Sequence, residues 1–175
     1  MAGATAKPLA RGFTLIELMV VIAIVAIVSL VALPNFQQLI RSNRVATQTN
    51  EMVASLSLAR TEAIRRNVSP LGNRDVVLCP STDGLTCSGG WNQGWIVAQR
   101  VDDTVDIVIR HVQEPVGVDI AAAGTEIVFD NRGRRAVGPA AMTVRSTACT
   151  TGQPYLRTLN INASGQVRVA GGTCP

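Results

Sequence analysis

The chain has 175 residues, with sixteen basic against twelve acidic side chains, a formal charge of +4, only 16% charged residues and a mean hydropathy of +0.25. That length holds one ordinary domain and an appendage, which excludes two full domains. The charge excess is too mild to define a polyanion partner by itself, and the six aromatic residues require a mostly aliphatic core.

Residues 1–12 are short, polar and basic, ending Leu9-Ala10-Arg11-Gly12, and include Lys7, the single lysine. The apolar stretch follows at once, as Phe13-Thr14-Leu15-Ile16-Glu17 and then LMVVIAIVAIVSLVAL from Leu18 to Leu33, with Ser29 its one polar member. An ordinary secretory signal is cut after its apolar stretch, and Ala32-Leu33-Pro34-Asn35 is a poor site for that cut. The small residue Gly12 lies before the stretch, so cleavage there keeps the apolar helix in the mature chain. Twenty-one residues from Phe13 to Leu33 make roughly 31 Å of helix, enough to cross the hydrocarbon core. Lys7 and Arg11 precede it, which predicts a cytoplasmic N-terminus, a single pass through the inner membrane and an exported head. Glu17 is costly near the start of such a helix unless it reaches the headgroups or finds a partner. A freed α-amine on Phe13 of a neighbouring subunit is one such partner.

The run Arg11-Gly12-Phe13-Thr14-Leu15-Ile16-Glu17-Leu18 resembles the processing motif of type IV prepilins and type II secretion pseudopilins. The resemblance implies that a prepilin peptidase cuts after Gly12 and methylates Phe13, and that Glu17 supports assembly into a filament. It implies further a type IV pilin fold of class α+β, a long N-terminal helix packed on an antiparallel sheet.

Pro34 interrupts the apolar run, and a proline within a helix removes one hydrogen bond. Helical signal resumes from Asn35 to about Arg66, with Met52, Val53, Leu56, Ala59 and Ala63 on one face. Arg60, Arg65 and Arg66 gather near its C-terminus, where cations suit the helix dipole. Pro70 and Gly72 end it. Seven β-branched runs follow between turn clusters: Asp75–Cys79, Trp95–Ala98, Val105–Ile109, Thr125–Phe129, Met142–Arg145, Tyr155–Ile161 and Gln166–Val169. One sheet on the apolar face of one helix is the economical arrangement. The expected organisation is a leader over 1–12, a transmembrane and filament-core helix over 13–34, an amphipathic head helix over 35–67, and a β-rich periplasmic head over 68–175.

Cys79, Cys87, Cys149 and Cys174 form an even set beyond a membrane-directing segment, which points to an oxidising compartment and two bridges. Neither a CxxC nor a second histidine is present, so no metal or cofactor is expected. Sequence alone permits three pairings. The stretch Val77-Leu78-Cys79-Pro80-Ser81-Thr82-Asp83-Gly84, with Cys87 and Trp91-Asn92-Gln93-Gly94-Trp95-Ile96-Val97, resembles the head of the GspH/FimT group, whose members include FimU-like and FimT-like minor pilins. On that resemblance Cys79 and Cys87 close a short loop and Cys149 and Cys174 tie the terminal strands, with Cys79–Cys149 still open as an alternative.

An enzyme is not expected: His111 is the single histidine, no nucleophile stands beside it in sequence, and there is no glycine-rich phosphate loop. DNA is the stronger competitor. Asn131-Arg132-Gly133-Arg134-Arg135 presents three arginines in a turn, and from Asp119 onward six arginines face three acids. FimT-like receptors of natural transformation carry Gly-Arg-x-Arg near the C-terminus; here that place reads Gly165-Gln166-Val167-Arg168, with Gln166 for the first arginine. Arg132, Arg134, Arg135 and Arg168 are therefore the candidate DNA contacts. The preferred reading is a minor pilin in the tip or priming complex, with prepilin peptidase, other minor and major pilins and the inner membrane as partners. A DNA receptor and a type II secretion pseudopilin are the alternatives.

Overall fold

The computed structural model describes residues 12–68 and 74–175, and the chain divides into two units, one up to Leu39 and one from Ile40 to Pro175. The expected leader, apart from Gly12, and the Pro70–Gly72 stop lie outside the described residues.

Helix α1 runs from Leu15 to Arg65. It starts where it does because Thr14 caps it: Thr14 Oγ1 accepts the Glu17 N–H at 3.3 Å, the forward half of a Thr-x-x-Glu capping pair. It ends where Asn67 turns left-handed at φ 50°, letting Asn67 and Val68 N–H donate back to Ile64 and Ala63 carbonyls. The backbone is helical through Pro34, so the interruption expected there does not end the element. Proline forfeits one hydrogen bond, and the helix-forming residues on either side carry the helix onward.

Among the described residues nine strands follow: β1 Arg74–Pro80, β2 Trp95–Val101, β3 Thr104–Val112, β4 Val118–Ala122, β5 Ile127–Phe129, β6 Arg135–Val137, β7 Ala141–Ser146, β8 Leu156–Ile161 and β9 Val167–Gly172. They form two antiparallel sheets, ordered β3-β2-β1-β5-β6 and β4-β7-β8-β9, rather than the single sheet expected. Pro115 and Gly117, the latter at φ 72°, turn the chain after β3, so that β4 pairs with β7 instead. β4 and β6 are the two strands without a matching sequence signal. β4 reads VDIAA with small residues, and β6 is three residues long beside an arginine run.

Both sheets share one core with the helix. Val76, Leu78, Trp95, Ile127 and Phe129 of the first sheet and Ile120, Met142, Val144, Leu159 and Ile161 of the second surround Val45, Met52, Leu56, Ala59 and Ala63 of α1. The Trp95 indole N–H donates to Ser55 Oγ at 3.0 Å inside that core. Val77, Cys79, Ile96, Ala98 and Val128 form a smaller cluster on the other face of the first sheet, which is why β1 reads as an unbroken apolar run. At the end of that face Arg100 is clamped by Asp75 at 2.6 Å and Glu126 at 2.7 Å.

Candidate functional site

In the N-terminal unit Phe13 is 84% exposed, and the large apolar side chains described from Leu15 to Leu39 are exposed with it. An apolar helix bare on every side is built for a non-aqueous surround. Among the described residues no single helix is long and apolar enough to cross a membrane; Leu15–Leu30 and Asn35–Arg65 taken together meet the test of length and composition. Gly12, Phe13, Thr14 and Glu17 line one cleft, and the Glu17 side chain is exposed. A Cβ on Gly12 would meet nothing within 4 Å, so nothing in its own surroundings requires a glycine there.

In the head the disulfides are Cys79–Cys87 and Cys149–Cys174, and the open alternative Cys79–Cys149 does not occur. The first bridge closes a loop pinned from within. Asp83 accepts N–H bonds from Leu85 and Thr86, each at 2.8 Å, and the Thr86 N–H above all holds its carboxyl well below the usual range. Gly84 in this loop lies against the ring of His111, a side chain that is itself exposed. The second bridge ties the β7–β8 loop to the chain end, where Cys174 N–H donates to Gln153 O at 2.8 Å.

Two of the candidate arginines stand in the β5–β6 turn, one opens β6 and one lies near the start of β9, and the β5–β6 turn touches the β8–β9 turn. Arg132 and Arg134 stand in the β5–β6 turn, closed by Asp130, whose carboxylate takes both of their backbone N–H groups at 3.0 and 2.8 Å. The Arg134 side chain returns to the same carboxylate at 2.8 Å. Arg135 is half-buried and donates to Gly138 O, while its N–H bonds Ala163 O in the β8–β9 turn. Arg168 is exposed near the start of β9. Arg60 joins them, donating from Nε to Gly133 O at 2.9 Å and sharing a cleft with Gln166 and Arg168. Sequence reasoning left Arg60 as a helix-end cation. Its place directly after the buried Ala59, at the margin of the apolar face, was the signal available. Arg65 and Arg66 instead chelate Glu62 at 2.6 and 2.8 Å.

The comparisons bear on this arrangement. The crystal structure of the type IV minor pilin FimU of Pseudomonas aeruginosa superposes with a TM-score of 0.55 at 16% identity, covering 73% of this chain and 89% of that one. The fold is the α+β pilin fold, a helix packed on antiparallel sheets. The prokaryotic N-terminal methylation motif matches residues 8–33, and the model of type II transport protein GspH matches residues 48–165. No curated protein is a significant match. The chain belongs to the GspH family, within the class of type IV minor pilins and pseudopilins. The methylation motif, leading into an N-terminal helix, implies membrane anchoring, processing by a prepilin peptidase and pilin partners.

Proposed function

We propose that this chain is a minor pilin that enters a type IV pilus in the tip or priming complex that initiates assembly. The observation that carries the reading is the exposed apolar stretch from Phe13, helical from Leu15, attached to a head with the fold of a minor pilin. In this reading residues 1–12 are the leader, and Gly12 is the cleavage position. Phe13 is the methylated terminus and 13–34 the segment held in the inner membrane, with the N-terminus cytoplasmic and the head periplasmic. After processing, the helix leaves the bilayer for the filament core. Glu17 compensates the Phe13 amine of a neighbour there, because an unpaired carboxylate among apolar helices is strongly disfavoured.

Mass spectrometry of the protein recovered from cells tests the first half: a mature N-terminus at methylated Phe13 is expected, dependent on the peptidase. Pili counted in a deletion strain test the second half. Normal pilus number without this chain would remove it from initiation.

Two observations favour other roles for the same fold. The matched family model is described as a type II transport protein, which supports a pseudopilin; loss of secretion with intact pili would decide for it. The contact of the β5–β6 turn, which bears Arg132 and Arg134, with the β8–β9 turn that leads into Arg168 supports DNA reception at Arg132, Arg134, Arg135 and Arg168. A salt-dependent gel shift at micromolar protein is the expected result there, and its absence would remove DNA.

A further inference from the structure

Four strands end the two sheets, and three of them carry features that hinder further pairing. β3 has two register shifts against β2 and carries the exposed Asp106. In β4 the Ile120 N–H is already taken by Asn92 Oδ1 at 2.5 Å. β6 is three residues long, and its Arg135 N–H donates to Ala163 O at 3.2 Å. Bulges, charges, short length and side-chain cover are the usual protections of end strands.

β9 has almost none of these. It pairs with β8 in unbroken register from Val167 to Gly172, contains no proline, and exposes Arg168, Val169, Ala170 and Gly171. Ala170, Gly171 and Gly172 offer no bulk to an approaching chain. Among the described residues no strand pairs with its outer edge. In an antiparallel ladder alternate residues turn their N–H and C=O groups outward, so this edge is a row of unfilled backbone partners. A cleft of about 370 Å³ opens beside the start of the strand, walled by Ser57, Arg60 and Thr61 of α1 and by Gln166 and Arg168.

We propose that β9 is a strand-addition site for an extended, carboxylate-bearing segment of another subunit. This goes beyond the assembly role above, since it names the surface and the chemistry of the partner. Charge selects the occupant. Arg168 makes no ion pair among the described residues, and Arg60 lines the same cleft. A second copy of β9 laid alongside in parallel register would set arginine beside arginine, and in antiparallel register would offer Arg168 only a glycine; like charges across a strand pair are destabilising. An aspartate or glutamate on the incoming strand instead meets two guanidinium groups, while backbone bonds supply sequence-independent affinity.

The test uses the full chain in detergent micelles and a peptide of about eight residues alternating valine and aspartate, with a valine–lysine counterpart. The aspartate peptide is expected to slow amide exchange between Arg168 and Gly172 by about tenfold at the outward-facing groups, and the lysine peptide to leave it unchanged. Arg168→Glu is expected to reverse that preference. Proline is placed at Val169 and at Ala170 in separate variants, because one of the two N–H groups points outward and one towards β8. The variant that keeps the parent's thermal unfolding should lose the peptide's effect. No protection at millimolar peptide, or equal protection by both peptides, overturns the proposal. Protection of β9 by single-stranded DNA but not by the aspartate peptide overturns it in favour of a nucleic acid.

Discussion

Gly165 sits against Gly133 so closely that a Cβ on Gly165 would lie 2.0 Å from the Gly133 carbonyl oxygen, and Gly165 is left-handed at φ 76°. This contact seats the β8–β9 turn on the β5–β6 turn, and Arg60 Nε holds the same carbonyl at 2.9 Å. The head's arginine-bearing end therefore depends on a glycine that carries no charge.

Gly165→Ala is expected to destabilise the protein by about 2–4 kcal/mol, combining positive-φ strain with a backbone clash that no rotamer relieves. Gly90→Ala is the control, at φ −120° with nothing within 4 Å of the added carbon, and should cost under about 1 kcal/mol. Urea unfolding of the two variants compares them directly.

Ser55→Ala should cost about 1–3 kcal/mol, because it strands the Trp95 indole N–H in a core where both residues are 0% exposed. Ser57→Ala, one position beyond the next residue on the exposed side of the helix, should stay within about 0.5 kcal/mol. Equal effects in thermal unfolding would show that the indole finds another acceptor.

Stability should fall in acid through Glu62. Hydrogen bonding from Arg65, and then from Arg66, holds its carboxyl below the usual value, and Arg145 does the same for Asp119. A folded-state pKa below the unfolded one gives stability that is present above the unfolded pKa and lost as pH falls through the folded one. With unfolded carboxylates near pH 4, the unfolding midpoint should hold from about pH 7 to 5 and drop below about pH 4. Glu62→Gln should lower the midpoint at neutral pH and flatten the acid drop; an unchanged acid limb would assign the loss to other carboxylates.

Gly12→Ala and Glu17→Val separate processing from assembly. Gly12 has open space around it, so accumulation of unprocessed Gly12→Ala precursor would report recognition by the peptidase and not misfolding. Glu17→Val should be cut normally, remain in the membrane fraction and be lost from sheared pili, as read by immunoblot of the two fractions. Glu17→Val in pili at parental level would remove the proposed carboxylate–amine pairing.

The disulfides show how far sequence reached and where it stopped. Four cysteines beyond an apolar segment indicate two bridges but fit three pairings by count; the resemblance of the head motif implied Cys79–Cys87 and Cys149–Cys174, and the structure has that pairing. Strand placement brings each pair together, with β1 carrying Cys79 beside its own loop and Cys174 folding back onto Gln153. The missed strands depend on placement too. β4 and β6 are edge strands whose short, small or charged residues carry little two-residue periodicity, and they exist because partners β7 and β5 offer backbone groups to them.

The order of residues by itself determined the apolar stretch from Phe13, the carboxylate at position 17 and the amphipathic face from Met52 to Ala63. These are local properties, written in hydropathy and period along one stretch of chain. The division into two sheets, the meeting of Arg60 with the Gly133 turn and the bare edge of β9 were decided only in three dimensions. Each joins segments far apart in the chain, and such contacts depend on which backbone groups find partners after collapse, a choice that no short window of sequence contains.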